Sequence, residues 1–369
     1  MTVLIFFAVL ILLIVVHEFG HFIVAKRSGI RVDEFGIGFP PKLFGKKYGE
    51  TEYTVNALPF GGFVKIFGEN PDSESISGPD SSRALIHKPK LIQAAVLFAG
   101  IFFNILLAWI LFSVTLMAGT PAAVIVNQSL SKYISNERVL ITQVLPGSPA
   151  DKAKILSGDE IISISNSTSQ LKINTSKEVS SFIRDDNGKI IKINVIRDGK
   201  IKTITVTPQR GLINDLPNTP AIGVAMGLIG TLKLPVHLAI WEGGKQTISM
   251  LYHITVGIST FLYNALLFKA DLSSVAGPVG IVSLIGSASA LGLVALMNFT
   301  ALISLNLAVI NLVPFPALDG GRLLFLLIEA IKGSPIKPRI VNTFNILGFT
   351  FLIILMLVVT YSDILRIFK

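Results

Sequence analysis

Stretches without a charged side chain alternate along this chain with stretches that are rich in them. Residues 2–16 carry no charge and run directly into His17, and residues 91–119 are uncharged throughout. Residues 272–318 hold neither charge nor histidine, and 340–362 form a further apolar run just after Arg339. A bilayer core of ~30 Å is crossed by roughly 20 apolar residues in a helix, so each run predicts a membrane-crossing segment. Residues 246–268 are also uncharged apart from His253. If they cross, the run 272–318 must cross twice, so the pattern allows four spans or six. Glycine and serine crowd 273–292, which makes a poor lipid-facing helix. The favoured reading is four spans, with 236–268 an amphipathic helix at the outer surface and 273–290 a loop packed against protein. No basic segment precedes the first run and no small-x-small site follows it, so it is expected to stay as an uncleaved span.

Residues 122–210 have a different texture, with 13 Lys/Arg, 8 Asp/Glu and short β-branched runs. Val139–Val144, Glu160–Ile164, Ile190–Ile196 and Ile201–Val206 predict strands, and Asp198-Gly199 between the last two predicts a hairpin turn. Ser148-Pro149 opens a short helix as cap and first residue, and a second helix is expected near 176–186. Strand, PGSPA helix, GD turn and strand in this order resemble a circularly permuted bacterial PDZ domain, a peptide-binding module. The predicted fold is a polytopic α-helical membrane protein with about four transmembrane helices, a membrane-associated β-hairpin and one inserted β-rich PDZ-like domain. Its expected parts are residues 1–119, 122–210 and 211–369.

The chain has 369 residues, 51% of them hydrophobic and only 15% charged, against ~25% charged for soluble domains. A purely soluble protein is excluded. With no cysteine, disulfides, thiolate nucleophiles and cysteine-ligated metals are excluded too. Ten of the 32 Lys/Arg lie in 24–90, and Arg322, Lys332, Lys337 and Arg339 follow the long uncharged run. Positive residues stay in the cytoplasm, so 24–90 is expected inside, with the N-terminus and 120–240 outside. The net charge of +9 reads as topology. No nucleic-acid partner is expected.

His17-Glu18-Phe19-Gly20-His21 is the chemical centre of the sequence. On a helix the two imidazoles, four residues apart, project from one face and reach one Zn²⁺. Glu18, about 100° round the helix, suits a general base. Ionisable residues at a membrane edge are costly and tend to be functional. His87, His237 and His253 are isolated. The third ligand is expected from Asp319, in Leu318-Asp319-Gly320-Gly321, where Pro314 and Pro316 break the long run. His17 lies ~22 Å from the outer end of its helix at 1.5 Å per residue, and Asp319 ends a segment that enters from the same side. Two histidines, one aspartate and an open position make a catalytic set, although the same ligands admit iron or cobalt.

These residues resemble the site-2 protease family of intramembrane zinc metalloproteases (peptidase family M50), nearest to the bacterial regulator of sigma-E protease type. HEFGH, Phe60-Gly61-Gly62-Phe63-Val64-Lys65, Gly100 to Asn104, Gly277-Pro278-Val279-Gly280 and the run Asn311–Gly321 fall in the family's order. The resemblance implies one zinc on His17, His21 and Asp319, with Glu18 activating water. It implies a metalloendopeptidase of the bacterial inner membrane that cuts a peptide bond within or next to a substrate's transmembrane segment. Regulated intramembrane proteolysis of an anti-sigma factor, or of a signal peptide remnant, is the kind of event implied. The PDZ-like domain would be periplasmic and the active site near the cytoplasmic face. One PDZ-like domain is present where some members carry two. The substrate's unwound backbone would need partners, and residues 34–67 predict a hairpin whose open edge, near Gly61 and Gly62, can supply them. Asn306 and Asn311 are candidates for holding substrate backbone or the oxyanion, while Asn104 and Gly100 read as a packing pair and Arg322 as an inner-face anchor. A membrane metal-ion transporter or a metal-binding scaffold is the alternative, against which stands a glutamate at the base position.

Overall fold

The computed structural model describes residues 1–69, 73–124, 130–186, 188–197, 199–212, 218–267, 269 and 275–367. Two compact units form, one of residues 1–115 with 236–369 and one of residues 116–235.

The first unit is mostly helical. α1 (Thr2–Arg27) is followed by a hairpin, β1 (Val32–Tyr48) and β2 (Thr51–Ile66), then by short α2 (Ser73–Ser77) and long α3 (Lys90–Ala118). After the second unit come α6 (Val236–Leu266), α7 (Pro278–Ala290), α8 (Leu293–Leu312), α9 (Asp319–Lys332) and α10 (Pro338–Ile367). Among the described residues, four helices are long and apolar enough to cross a membrane: Thr2–Arg27, Lys90–Ala118, Leu293–Leu312 and Pro338–Leu365. Each overlaps one of the runs 2–16, 91–119, 272–318 and 340–362. The residues expected as a loop, 273–290, contain instead the helix α7. Pro278 sits at its first turn, and the Asp363 carboxylate of α10 accepts from the Gly280 N–H at 2.8 Å. A Cβ at Gly277 would stand 2.7 Å from that carboxylate. Glycine here makes room for a cap that the rest of the helix's composition does not reveal.

α1 packs its buried Val9 and Leu13 against Ile285 of α7, with Leu307 of α8 alongside. On another side, α3 and α8 meet through Ala108, Phe112, Ala301 and Leu305. The hairpin turns at Gly49-Glu50 and folds on itself, so that Glu34–Ile37 has strand partners on both sides, Glu52–Val55 and Gly62–Lys65. Glu50 at its tip pairs with Lys26 at the end of α1 (2.6 Å) and with Arg83 (2.7 Å).

The second unit is a seven-stranded antiparallel sheet. Its strands are β3 (Thr120–Ala123), β4 (Ile134–Val144), β5 (Glu160–Ser165), β6 (Gln170–Lys172), β7 (Ile191–Arg197), β8 (Lys200–Val206) and β9 (Val224–Leu232), in the order β3-β9-β4-β5-β7-β8 with β6 on β5. Two helices, α4 (Pro149–Lys152) and α5 (Ser176–Asp185), complete it. Ser148 caps α4, and Thr175 with Glu178 forms a capping box at α5. Such caps contribute about 1 kcal/mol each. Val179 and Ile183 of α5 join a core made by the inward residues of β4, β5 and β7, such as Val139, Ile164, Ile191 and Ile193. The unit reaches beyond 122–210 because β9 inserts between β3 and β4. Its sequence, VAMGLIGTL, is too rich in glycine to predict a strand. Of the expected turn, Gly199 has φ +73° and Asp198 lies outside the described residues.

Asp159 is fully buried and bonds the Arg197 guanidinium at 2.6 Å and the Leu156 N–H at 3.0 Å. Burial alone would raise its carboxyl, but Arg197 and that N–H outweigh it and hold the group below its usual range. Its contribution to stability is complete above the unfolded pKa of ~3.9 and is lost as pH falls through the lower folded value. Asp159→Ala removes the buried carboxylate that the Arg197 guanidinium and the Leu156 N–H share and is expected to destabilise the unit by about 3 kcal/mol. Limited proteolysis of the full-length protein in detergent, scored by cleavage within 116–235, checks this.

Candidate metal centre

α1 carries His17 and His21 on one face, one turn apart, and α3 lies directly across them. The closeness of the two helices is set by glycine. A Cβ on Gly20 would stand 2.5 Å from the Ala99 carbonyl oxygen, and one on Gly100 would stand 2.4 Å from His21 Nε2 and 2.8 Å from His17 Cε1. Gly100 therefore leaves the volume that the two imidazoles occupy.

Asp319 arrives from the other end of the chain. α8 ends at Leu312, the prolines interrupt the helix, and Ala317 takes φ +74° before Asp319 opens α9. A positive φ on a residue with a Cβ is uncommon, and it is held here by the Asn345 side chain of α10, which accepts from the Ala317 N–H at 3.2 Å. The two glycines after Asp319 are obligatory for space. A Cβ on Gly320 would meet the Val313 carbonyl at 2.3 Å, and one on Gly321 the Phe315 carbonyl at 2.2 Å. The first turn of α9 thus lies flat on the broken segment, which aims Asp319 back at α1.

The result is a triangle. His17 Nε2 and His21 Nε2 are 3.2 Å apart, and Asp319 Oδ2 lies 3.2 Å from the first and 3.3 Å from the second. Both histidines are buried, and among the described residues these three are the group of His, Asp and Glu able to hold an ion. Tetrahedral ligands ~2.0–2.1 Å from a common centre lie ~3.3–3.4 Å from each other. The triangle has that size. Asp319 Oδ2 is buried and has no hydrogen-bond partner, the histidines opposing it only as ion-pair contacts. Two imidazole lone pairs and a carboxylate turned toward one point repel unless a cation lies between them. The residues present fit zinc.

Each imidazole is also held from behind. His21 Nδ1 lies 2.8 Å from the Val96 carbonyl oxygen, so the Nδ1–H donates and Nε2 is left as the free lone pair. His17 Nδ1 lies 3.2 Å from the side-chain amide of Asn104. Gly100 packs as expected, and Asn104, read with it as a packing pair, has its side-chain amide against His17 as well. The signal was available, since Gly100 and Asn104 repeat the four-residue spacing of the histidines they face.

A cavity of about 270 Å³ opens beside the triangle, lined by Ile14, His17, Glu18, Gly61, Gly62 and Asn311 among others. The Glu18 carboxylate accepts from the Val64 N–H of β2. Gly62 lets that strand approach α1, for its Cβ would be 2.8 Å from Ile14. Five of the expected residues thus share one cavity with Asp319: His17, Glu18, Gly61, Gly62 and Asn311. Asn306 is not among them. Five residues before Asn311 on α8, it points elsewhere, and its amide N–H donates to the Leu302 carbonyl at 2.9 Å. Arg322, one turn along α9 from Asp319, forms an ion pair with Glu69, tying α9 to the segment that follows β2.

The model of the family described as "Peptidase family M50" matches residues 5–355. The chain is 30% identical over 443 residues to the regulator of sigma-W protease RasP of Bacillus subtilis, covering 100% of this chain and 99% of that protein. It is 30% identical over 416 residues to the zinc metalloprotease RasP of Geobacillus kaustophilus, covering 96% of each. Among solved structures, the PDZ domain of an SdrC-like protein from Listeria monocytogenes aligns with 25% of this chain and 90% of its own length, at 22% identity and a TM-score of 0.21.

Proposed function

The chain belongs to peptidase family M50 and is an intramembrane zinc metalloendopeptidase, and we propose that His17, His21 and Asp319 hold its zinc while Glu18 is its general base. The observation that carries this is the 3.2–3.3 Å triangle of ligand atoms with Glu18 on the adjoining cavity wall. When bound, zinc lowers the pKa of water and polarises a carbonyl oxygen. Glu18 takes the proton of the attacking water and delivers it to the leaving amine. The Asn311 amide, on the cavity wall, holds the scissile carbonyl or the developing oxyanion. The intrahelical bond of Asn306 removes support for the same role there.

A helical substrate must unwind locally before its carbonyls can be attacked, because helix hydrogen bonds hide them. The backbone of β2 at Gly61-Gly62 borders the cavity, and the Val64 N–H is directed at Glu18. Strand backbone alternates direction with period two, so the Gly62 backbone turns the same way and can pair with an extended substrate segment.

We further read the second unit as PDZ-like. What supports this is the strand and helix order together with a groove of about 460 Å³ between Ile183 and Arg184 of α5 and the segment 219–226 that leads into β9. An extended peptide would lie there. The distribution of Lys and Arg supports a multi-pass arrangement in a bacterial inner membrane, with 24–90 and the metal site toward the cytoplasm and the PDZ-like unit outside. The substrates would be membrane-spanning proteins, an anti-sigma factor or a signal peptide remnant among them.

Zinc analysis tests the ligand set. His21→Phe and Asp319→Ala, purified in detergent, are expected to fall from one zinc per chain to near zero. Full occupancy in both would refute the assignment. A transporter would keep metal-dependent flux in Glu18→Gln, and a peptidase has none to keep.

A further inference from the structure

Asn104 of α3 is fully buried, and its place in the structure carries a contradiction. Its amide nitrogen lies 3.2 Å from His17 Nδ1, while its amide oxygen is buried with no hydrogen-bond partner. Zinc takes imidazole through an unprotonated nitrogen, and His17 Nε2 is the atom turned to Asp319 and His21. His17 Nδ1 must then carry the proton and donate it. A donor facing a donor is repulsive, and an acceptor is required in that position, as Val96 provides for His21.

The asparagine amide resolves this by itself. Oxygen and nitrogen are of nearly equal size and exchange places by a half-turn of the amide. After the half-turn Oδ1 faces the Nδ1–H, and the buried acceptor gains its partner. The backbone at this position is fixed independently, since the Ser304 hydroxyl of α8 donates to the Asn104 carbonyl at 2.8 Å. The residue is thereby anchored to the same helix that leads to Asp319.

We propose that Asn104 is a positioning residue for the metal: in the zinc-ready state its amide oxygen accepts from His17 Nδ1–H and fixes Nε2 as the ligand. The proposal rests on His17 being a zinc ligand. Partners behind a metal-bound histidine set its tautomer and orientation, and their loss costs ~10–100-fold in metal affinity.

The test is the zinc dissociation constant, measured by chelator competition on metal-stripped, detergent-purified protein. Asn104→Leu keeps the volume and removes the acceptor, Asn104→Ala removes both, and Asn104→Asp keeps an oxygen acceptor. The expected result is a 10- to 100-fold weakening for Leu and Ala, with Asp within a few-fold of wild type or tighter. A packing residue gives the opposite order, with Leu tolerated and the buried Asp the worst. Zinc binding in Leu and Ala equal to wild type, or Asp as weak as Leu, would overturn the proposal. His17→Phe is measured alongside. If it retains wild-type affinity, the ligand assignment itself falls, an outcome distinct from failure of the Asn104 role. Helical content by circular dichroism is recorded for each variant, and Asp and Ala decide the matter if Leu does not fold.

Discussion

Glu18→Gln is expected to stop cleavage while leaving the zinc in place. The substitution keeps the side chain's length and the oxygen that accepts from the Val64 N–H, so the wall of the cavity is preserved. Glu18 is not one of the three converging ligand atoms, and metal content should stay at that of wild type. What the amide lacks is a basic site for the proton of the attacking water, and a proton to return to the leaving nitrogen. A positioned acid–base group contributes ~10²–10⁴-fold to rate, so turnover of a membrane-embedded substrate in proteoliposomes should fall by at least that range. The paired measurement is elemental zinc per chain on the same preparation. Cleavage within a few-fold of wild type, at full zinc occupancy, would remove Glu18 from the mechanism. Loss of zinc along with activity would instead make Glu18 part of the metal-holding set, and the division of roles between it and the histidines would need redrawing.

The three residues of the triangle and Glu18 stand out in the sequence because each is an exception to its surroundings. His17, Glu18 and His21 interrupt an apolar helix, and Asp319 ends a long uncharged stretch just after two prolines. Polar groups in such places stand out against a composition that is otherwise uniform. The hairpin was legible from its glycines and its turn at Gly49. What the pattern could not give was anything that depends on packing between distant segments. The helix α7 was hidden by its glycine and serine content, and its N-terminal cap comes from Asp363, 83 positions away from the Gly280 N–H it accepts. β9 was hidden because its stability comes from pairing on both sides, with β3 and with β4, which offsets poor intrinsic propensity. Asn306 and Asn311 are both candidates in the sequence, Asn311 the better placed because it adjoins the broken segment, and the helix phase separates them. Five residues turn a helix by about 500°, so they face about 140° apart, one into the cavity and the other back onto its own helix.

Gly100→Ala is expected to empty the zinc site although it alters no ligand. The added methyl carbon would lie 2.4 Å from His21 Nε2 and 2.8 Å from His17 Cε1, and an approach under 3 Å must be relieved by movement. A flexible side chain could yield, but these rings cannot do so freely. His21 is pinned from behind at the Val96 carbonyl, on the same helix as the new methyl. Shifting the ring breaks that bond, and shifting the helix separates α3 from α1, whose contact is already at the backbone where Gly20 meets Ala99. Either route moves an Nε2 out of a triangle whose sides match tetrahedral zinc to about a tenth of an ångström. Affinity should fall by at least the ~10–100-fold that follows when a ligand's support is lost. Gly257→Ala in α6 is the control, since its Cβ meets nothing within 4 Å and glycine to alanine in a helix gains up to ~1 kcal/mol. Chelator competition on both variants checks the contrast. Wild-type zinc affinity in Gly100→Ala would mean that the two imidazoles are held far more loosely than their packing against α3 implies.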